Sequence, residues 1–266
     1  MFEFLRLLGG TILLRPYVFI FLAVFIVAGY WHIGWKRTLV YIPIGYALAW
    51  ISEFSSIHWG FPYGDYFYIQ STVGKELWVL GVPFMDSLSY VFLSYCSYSL
   101  AVFLMNPLIS LSGNLNSLKR FRARHSWRTL VLGAFLFMSL DIVIDPVALQ
   151  GERWFLGRIY GYRTAGLYFG IPMSNFAGWL LVGAVLTGAL MVLERIPSLD
   201  STISVPSVFS SWTRLLGPAL YFSVLLFNIA VTFWIGEMLL GFADLVLLAV
   251  LLVLVVNKKA ACMSVI

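Results

Sequence analysis

Seven apolar stretches, each long enough to cross a bilayer, recur along the whole chain, at about 16–35, 37–52, 84–106, 128–149, 170–192, 214–235 and 238–257. Continuous apolar runs of this kind suit helices, which satisfy every backbone N–H and C=O within their own segment where no water can. Only 11% of the 266 residues are charged, against about 25% in soluble domains, so a soluble fold of this size would lack a polar surface. The sequence therefore predicts an all-α, polytopic integral membrane bundle of about seven transmembrane helices. Residues 1–266 form a single multi-pass domain, placed in the cell membrane with lipids as its surroundings. No signal-peptide pattern precedes the first long run, and the short stretch between Arg6 and Arg15 suits an interfacial helix within residues 1–15.

The formal net charge of +5 gathers in one loop, Lys119-Arg-Phe-Arg-Ala-Arg-His125 with Arg128. A basic loop flanked by spans is a topology signal rather than a nucleic-acid surface. Setting it in the cytoplasm also puts Lys36, Arg37, Arg195, Arg214, Lys258 and Lys259 there, with Arg6, Arg15 and the basic 153–163 loop as exceptions. The two cysteines, Cys96 and Cys262, have no metal-like spacing and form no disulfide framework.

Between the second and third runs, Glu53 to Tyr68 is rich in Gly, Pro and aromatics and cannot run as one regular helix, so a re-entrant or interfacial loop is expected there. Alternating helix direction then brings Glu53, His58, Asp65, Asp86, Asp141, Asp145 and Asn175 to one membrane face. Asp141 and Asp145, one helical turn apart in an apolar run, share one helix face. An ionisable side chain in a span costs roughly 2.5–3.5 kcal/mol on insertion scales, which marks it as a functional candidate.

Three segments carry a further signal. They are Glu53 with Trp59-Gly-Phe-Pro-Tyr-Gly-Asp-Tyr66, then Gly81-Val-Pro-Phe-Met-Asp86, then Asp141-Ile-Val-Ile-Asp-Pro146 with Gly166-Leu-Tyr-Phe-Gly-Ile-Pro-Met-Ser-Asn-Phe-Ala-Gly-Trp179. Together, over about residues 45–190, they resemble the membrane carotenoid-biosynthesis family, whose characterised members are carotenoid 1,2-hydratases acting on acyclic end groups of γ-carotene, lycopene or C50 bacterioruberin precursors. The chain departs from the family's pattern in one place. No tryptophan follows Asp86 within its span, which bears on substrate identity more than on reaction type.

The resemblance implies addition of water across the terminal double bond of an acyclic carotenoid or other polyene, with no cofactor and no metal. Other enzymes of the same pathway are candidate partners, and nucleic acid is not. Protonating a trisubstituted alkene needs a strong acid in a dry pocket, and a membrane carboxyl can keep its proton near neutral pH while a second carboxylate stabilises the cation and activates water. Asp141 is the expected proton donor, with Asp145 or Glu53 assisting water and Asp86 and Asn175 completing the catalytic set. Trp59, Tyr63, Asp65, Tyr66, Tyr168 and Trp179 are the expected substrate-binding residues.

Each residue has a plainer alternative. The aromatics suit an interfacial belt, Asp86 an N-cap, and Asn175 helix–helix adhesion. Pro146 could set Asp145 at a helix end near the headgroups, and His58 beside Trp59 suits a hydrogen-bonded interfacial residue as well as a base or ligand. The acids could also form a proton relay in a transporter, or serve a polyprenyl transferase, although the Asp141-x-x-x-Asp145 pair lacks basic phosphate clamps.

Overall fold

The computed structural model describes residues 2–105, 124–201 and 207–263, with the backbone alone described at 207–212 and 258–263. Its eight helices among these residues are α1 (Phe2–Leu14), α2 (Pro16–His32), α3 (Trp35–Trp59), α4 (Phe84–Met105), α5 (Trp127–Leu149), α6 (Met173–Glu194), α7 (Ser207–Trp234) and α8 (Met238–Met263). Four short strands, β1 (Tyr66–Tyr68), β2 (Trp78–Val79), β3 (Val82–Pro83) and β4 (Tyr160–Tyr162), lie in the loops. The protein is an all-α bundle.

Five helices are long and apolar enough to cross a membrane alone, and the pair α1 and α2, bent by 90°, makes a sixth at most. The remaining expected span, the second at 37–52, lies in α3, which has 25 residues but carries Lys36, Arg37, Glu53 and His58 among its apolar ones. Its helix also overruns the loop expected from Glu53 onward. The break comes at Gly60, whose φ of +71° closes the helix with a left-handed cap donating to Ser56 O. Glu53 is thereby held on a rigid helix rather than in a loop. The bend after α1 falls at Arg15, a buried guanidinium paired with Glu76 at 3.2 Å.

Helix α4 is the centre of the bundle: nearly every residue from Ser87 to Leu104 is buried, and it packs against α2, α3, α5, α6 and α7. Helix α8 sits at the edge with Leu239, Val246 and Val253 exposed, an apolar outer face suited to lipid.

Arg37, at the start of α3, closes the far end of α6 by donating to Leu193 O at 3.2 Å and Glu194 O at 3.1 Å. Carbonyls of a last helical turn lack i+4 donors, Leu193 O accepting an i+3 bond from Ile196 N at 3.2 Å, and a cation there also complements the helix dipole. At about 1.5 Å rise per residue, this end lies roughly 24 Å along α3 from Glu53. Arg124 and His125 pair with Glu194 at this same end. Lys119 to Arg122, the rest of the basic loop, lies outside the described residues.

Pro146 does not end α5, which runs on to Leu149 and keeps Asp145 buried. Lacking an N–H, Pro146 leaves Ile142 O without its helical donor. Tyr168 fills the gap, its hydroxyl donating to Ile142 O at 3.3 Å.

Helix α6 approaches the loop after α3 so closely that only glycine fits at 178. A Cβ there would stand 2.7 Å from Pro62 O and 2.6 Å from the Tyr63 ring. Gly178→Ala is therefore expected to destabilise the protein by about 1–3 kcal/mol through overpacking, read as a lowered melting temperature in detergent.

Candidate active site

Two Tyr-x-Tyr segments build the site. In an extended strand residues i and i+2 share a face, and β1 pairs antiparallel with β4 in the register Tyr66 to Tyr162, Phe67 to Gly161 and Tyr68 to Tyr160. Four phenols consequently project together. Gly161 leaves room behind them, since a Cβ there would meet the Phe67 ring at 3.2 Å.

The phenols meet three carboxyls, and an amide ties in a fourth. Glu53, in the penultimate turn of α3, accepts hydrogen bonds from Tyr66, from Tyr68 at 2.8 Å and from Tyr90. Asp86, in the first turn of α4, accepts from Tyr68 as well. Asp145 accepts from Tyr160 and, at 2.6 Å, from Tyr162. Asn175, in the first turn of α6, donates to Asp141 at 2.7 Å and to Asp145 at 3.0 Å.

Glu53, Asp86, Asp141 and Asp145, which alternating helix direction predicts to converge, thus meet from three helices, with Asn175 from a fourth, while Asp65 does not join them. Among the described residues none of the ion pairs reaches them. No group of three or more His, Cys, Asp or Glu among those residues is arranged to hold a metal.

Burial, followed by the charges of Asp86 and Glu53, holds the Tyr68 phenol well above the ordinary tyrosine range. Tyr160 is raised in the same way by burial and Asp145. Both remain protonated donors at any physiological pH.

Two cavities adjoin this cluster. The larger, about 100 Å³ of space for the centre of a water-sized sphere, is mostly apolar, with Phe21, Leu93, Ile144, Val224 and Phe227 in its walls. The smaller, about 40 Å³, is lined by Glu53, Asn175 and the tyrosines. It has room for more than one water, each of which needs about 10–15 Å³ on this measure. Asp86, Tyr90, Asp145, Tyr160 and Trp179 line both and form the wall between them.

Asp141 lines neither cavity; it is fully buried, and its Oδ1 has no hydrogen-bond partner. Of the residues expected to bind substrate, Tyr63 and Tyr66 line the small cavity and Trp179 lines both, stacked on Tyr90 at 4.8 Å. Trp59, which is 74% exposed, and Asp65, also exposed, stay outside both, as does Tyr168. His58 is exposed too, bonded to Phe54 O of its own helix at 2.8 Å.

Sequence reasoning missed Tyr90, Tyr68, Tyr160 and Tyr162 as hydrogen-bond donors to the acids. A signal was present for each. Tyr90 lies four residues after Asp86 on the same helix face, and a Tyr-x-Tyr pair in a loop puts two hydroxyls on one side of a strand.

No curated protein and no solved structure matches the chain. A family model described as carotenoid biosynthesis protein matches residues 14–256, a stretch that contains every helix contributing to the acid cluster, and the chain belongs to that family.

Proposed function

We propose that the protein is a carotenoid hydratase, adding water across the terminal double bond of an acyclic end group to give a tertiary alcohol. The observation that carries this reading is the wall of Asp86 and Asp145 between an apolar cavity and a small polar one. Hydration of a polyene end needs that juxtaposition, because the alkene belongs in one space and water in the other.

Hydrogen-bond donors divide the acids into two sets. Glu53 and Asp145 each have three side-chain donors within reach, while Asp86 and Asp141 each have one, and the one at Asp86, Tyr68, is shared with Glu53. Negative charge is best held where donors are most numerous, and none of the ion pairs among the described residues includes the other two acids. Asp86 is then the acid that both carries a proton and faces the apolar cavity. Its proton forms the new C–H bond at the less substituted alkene carbon, leaving a tertiary cation. The Asp145 carboxylate and the faces of Tyr90 and Trp179 stabilise that cation. A water from the small cavity forms the C–O bond and yields its proton to Glu53. The net change is the addition of one water, with no oxidation or reduction. Asp141 acts from behind, through the Asn175 amide it shares with Asp145.

The test uses the purified protein with lycopene-type substrate in heavy-oxygen water, without dioxygen. Hydratase action predicts product whose hydroxyl carries the heavy label, and deuterium at the adjacent carbon when run in heavy water. Product formed only with dioxygen, and unlabelled from water, would replace hydration with an oxidative hydroxylation. No chemical change in any carotenoid would favour a transport role for the same acids.

A further inference from the structure

Resting on the hydratase reading, we propose that Tyr68 is the proton-return residue of the site, resetting Asp86 from Glu53 after each turnover. The Tyr68 oxygen touches two carboxyls at once, Glu53 Oε2 at 2.8 Å and Asp86 Oδ2 more closely. A phenol has a single proton to donate. One of the two contacts is therefore made by a proton on a carboxyl.

The other partners decide which carboxyl. Glu53 Oε2 also accepts from Tyr66 and Glu53 Oε1 from Tyr90, so Glu53 is supplied with donors on both oxygens. Asp86 has no side-chain donor but Tyr68 among the hydrogen bonds of the described residues. The resting chain is Asp86 O–H to Tyr68 O–H to Glu53 carboxylate, a continuous line of two protons.

Hydration breaks this line at both ends and leaves it ready to reverse. Asp86 has given its proton to carbon and is a carboxylate; Glu53 has taken one from the attacking water and is an acid. Tyr68 then passes its own proton to Asp86 and receives the proton of Glu53, so one O–H bond breaks and one forms at the phenol oxygen, while Asp86 gains an O–H bond and Glu53 loses one. The phenol ends as it began. The cycle closes inside the protein, consuming one water and no external proton. Tyr68 suits this part because its phenol stays protonated between transfers and its strand position, opposite Tyr160 in β1 and β4, fixes the oxygen between the two acids.

The experiment is the variant Tyr68→Phe, which keeps the ring and removes only the oxygen. Product formation is followed with protein in excess over a lycopene-type substrate, giving the first turnover, and with substrate in excess, giving steady state. The expected result is a first turnover within about threefold of wild type and a steady-state rate lowered by about 10²-fold, the lower end of general acid–base contributions. A burst of one product per protein would precede the slow phase.

Tyr66→Phe is the control. It removes a donor from the same Glu53 oxygen without touching Asp86, so first and later turnovers should change together. Equal loss of both phases in Tyr68→Phe, or no loss in either, would overturn the return role while leaving wild-type hydration intact. Absence of water-derived oxygen in the wild-type product would instead remove the hydratase reading itself. Should Tyr68→Phe not accumulate in the membrane, fluorinated tyrosine at position 68, which keeps both contacts and makes the phenol more acidic, must alter steady state and spare the first turnover. An unchanged steady-state rate with that residue counts against the proposal.

Discussion

Asp86→Asn is expected to lower hydration by at least about 10²–10⁴-fold, the range that a positioned general acid supplies, and to do so in the first turnover as well as in steady state. The amide retains the shape and can still meet the Tyr68 hydroxyl, but it has no proton acidic enough to give to carbon. Because Asp86 is half-buried in the first turn of α4 rather than packed in the centre, its loss should leave folding nearly intact, which gel filtration in detergent would check. Near-normal product from this variant would remove Asp86 as donor and return attention to Asp141. The contrast with Tyr68→Phe is diagnostic, since one variant loses the chemical step and the other only its repetition.

The sequence carried the acids and their convergence further than it carried the way they are held. Asp141 and Asp145 could be set on one helix face from their spacing, and alternating helix direction was enough to bring Glu53, Asp86 and Asn175 to the same depth. What spacing could not supply was the pairing of residues 66–68 with 160–162. Such a contact forms between two loops far apart in sequence, and three-residue strands leave no periodicity to detect. Without it the tyrosines look like an interfacial belt. The same ignorance of loop paths put Trp59 and Asp65 against substrate, although both are exposed, Trp59 at the end of α3 and Asp65 after the turn at Gly60. Helix α3 was cut short at Glu53 because Gly, Pro and aromatics crowd the following residues. The backbone needed to break only where a left-handed residue was required, at Gly60.

Asp145→Asn is expected to reduce hydration by about 10²–10³-fold, comparable to losing one preorganised group from a charge-stabilising site, whereas Asp141→Asn is expected to stay within about tenfold of wild type. The two residues lie on one face of α5 and share the Asn175 amide, so chemistry at the level of sequence treats them alike. Their surroundings do not. Asp145 faces both cavities and receives Tyr160, Tyr162 and Asn175, a set of donors that fixes a carboxylate where positive charge develops on carbon. An amide at 145 would remove that charge and turn an N–H toward phenols that are themselves donating. Asp141 borders neither cavity, and its Oδ1 has no hydrogen-bond partner, so replacing one oxygen by an amide nitrogen there alters little that the substrate meets. Initial rates of both variants, each normalised to folded protein and measured on the same lycopene-type substrate, decide the matter. If Asp141→Asn proves the more damaging, the reacting end of the polyene must reach past Asn175 to the centre of α5, and the wall between the two cavities is not where the proton is delivered.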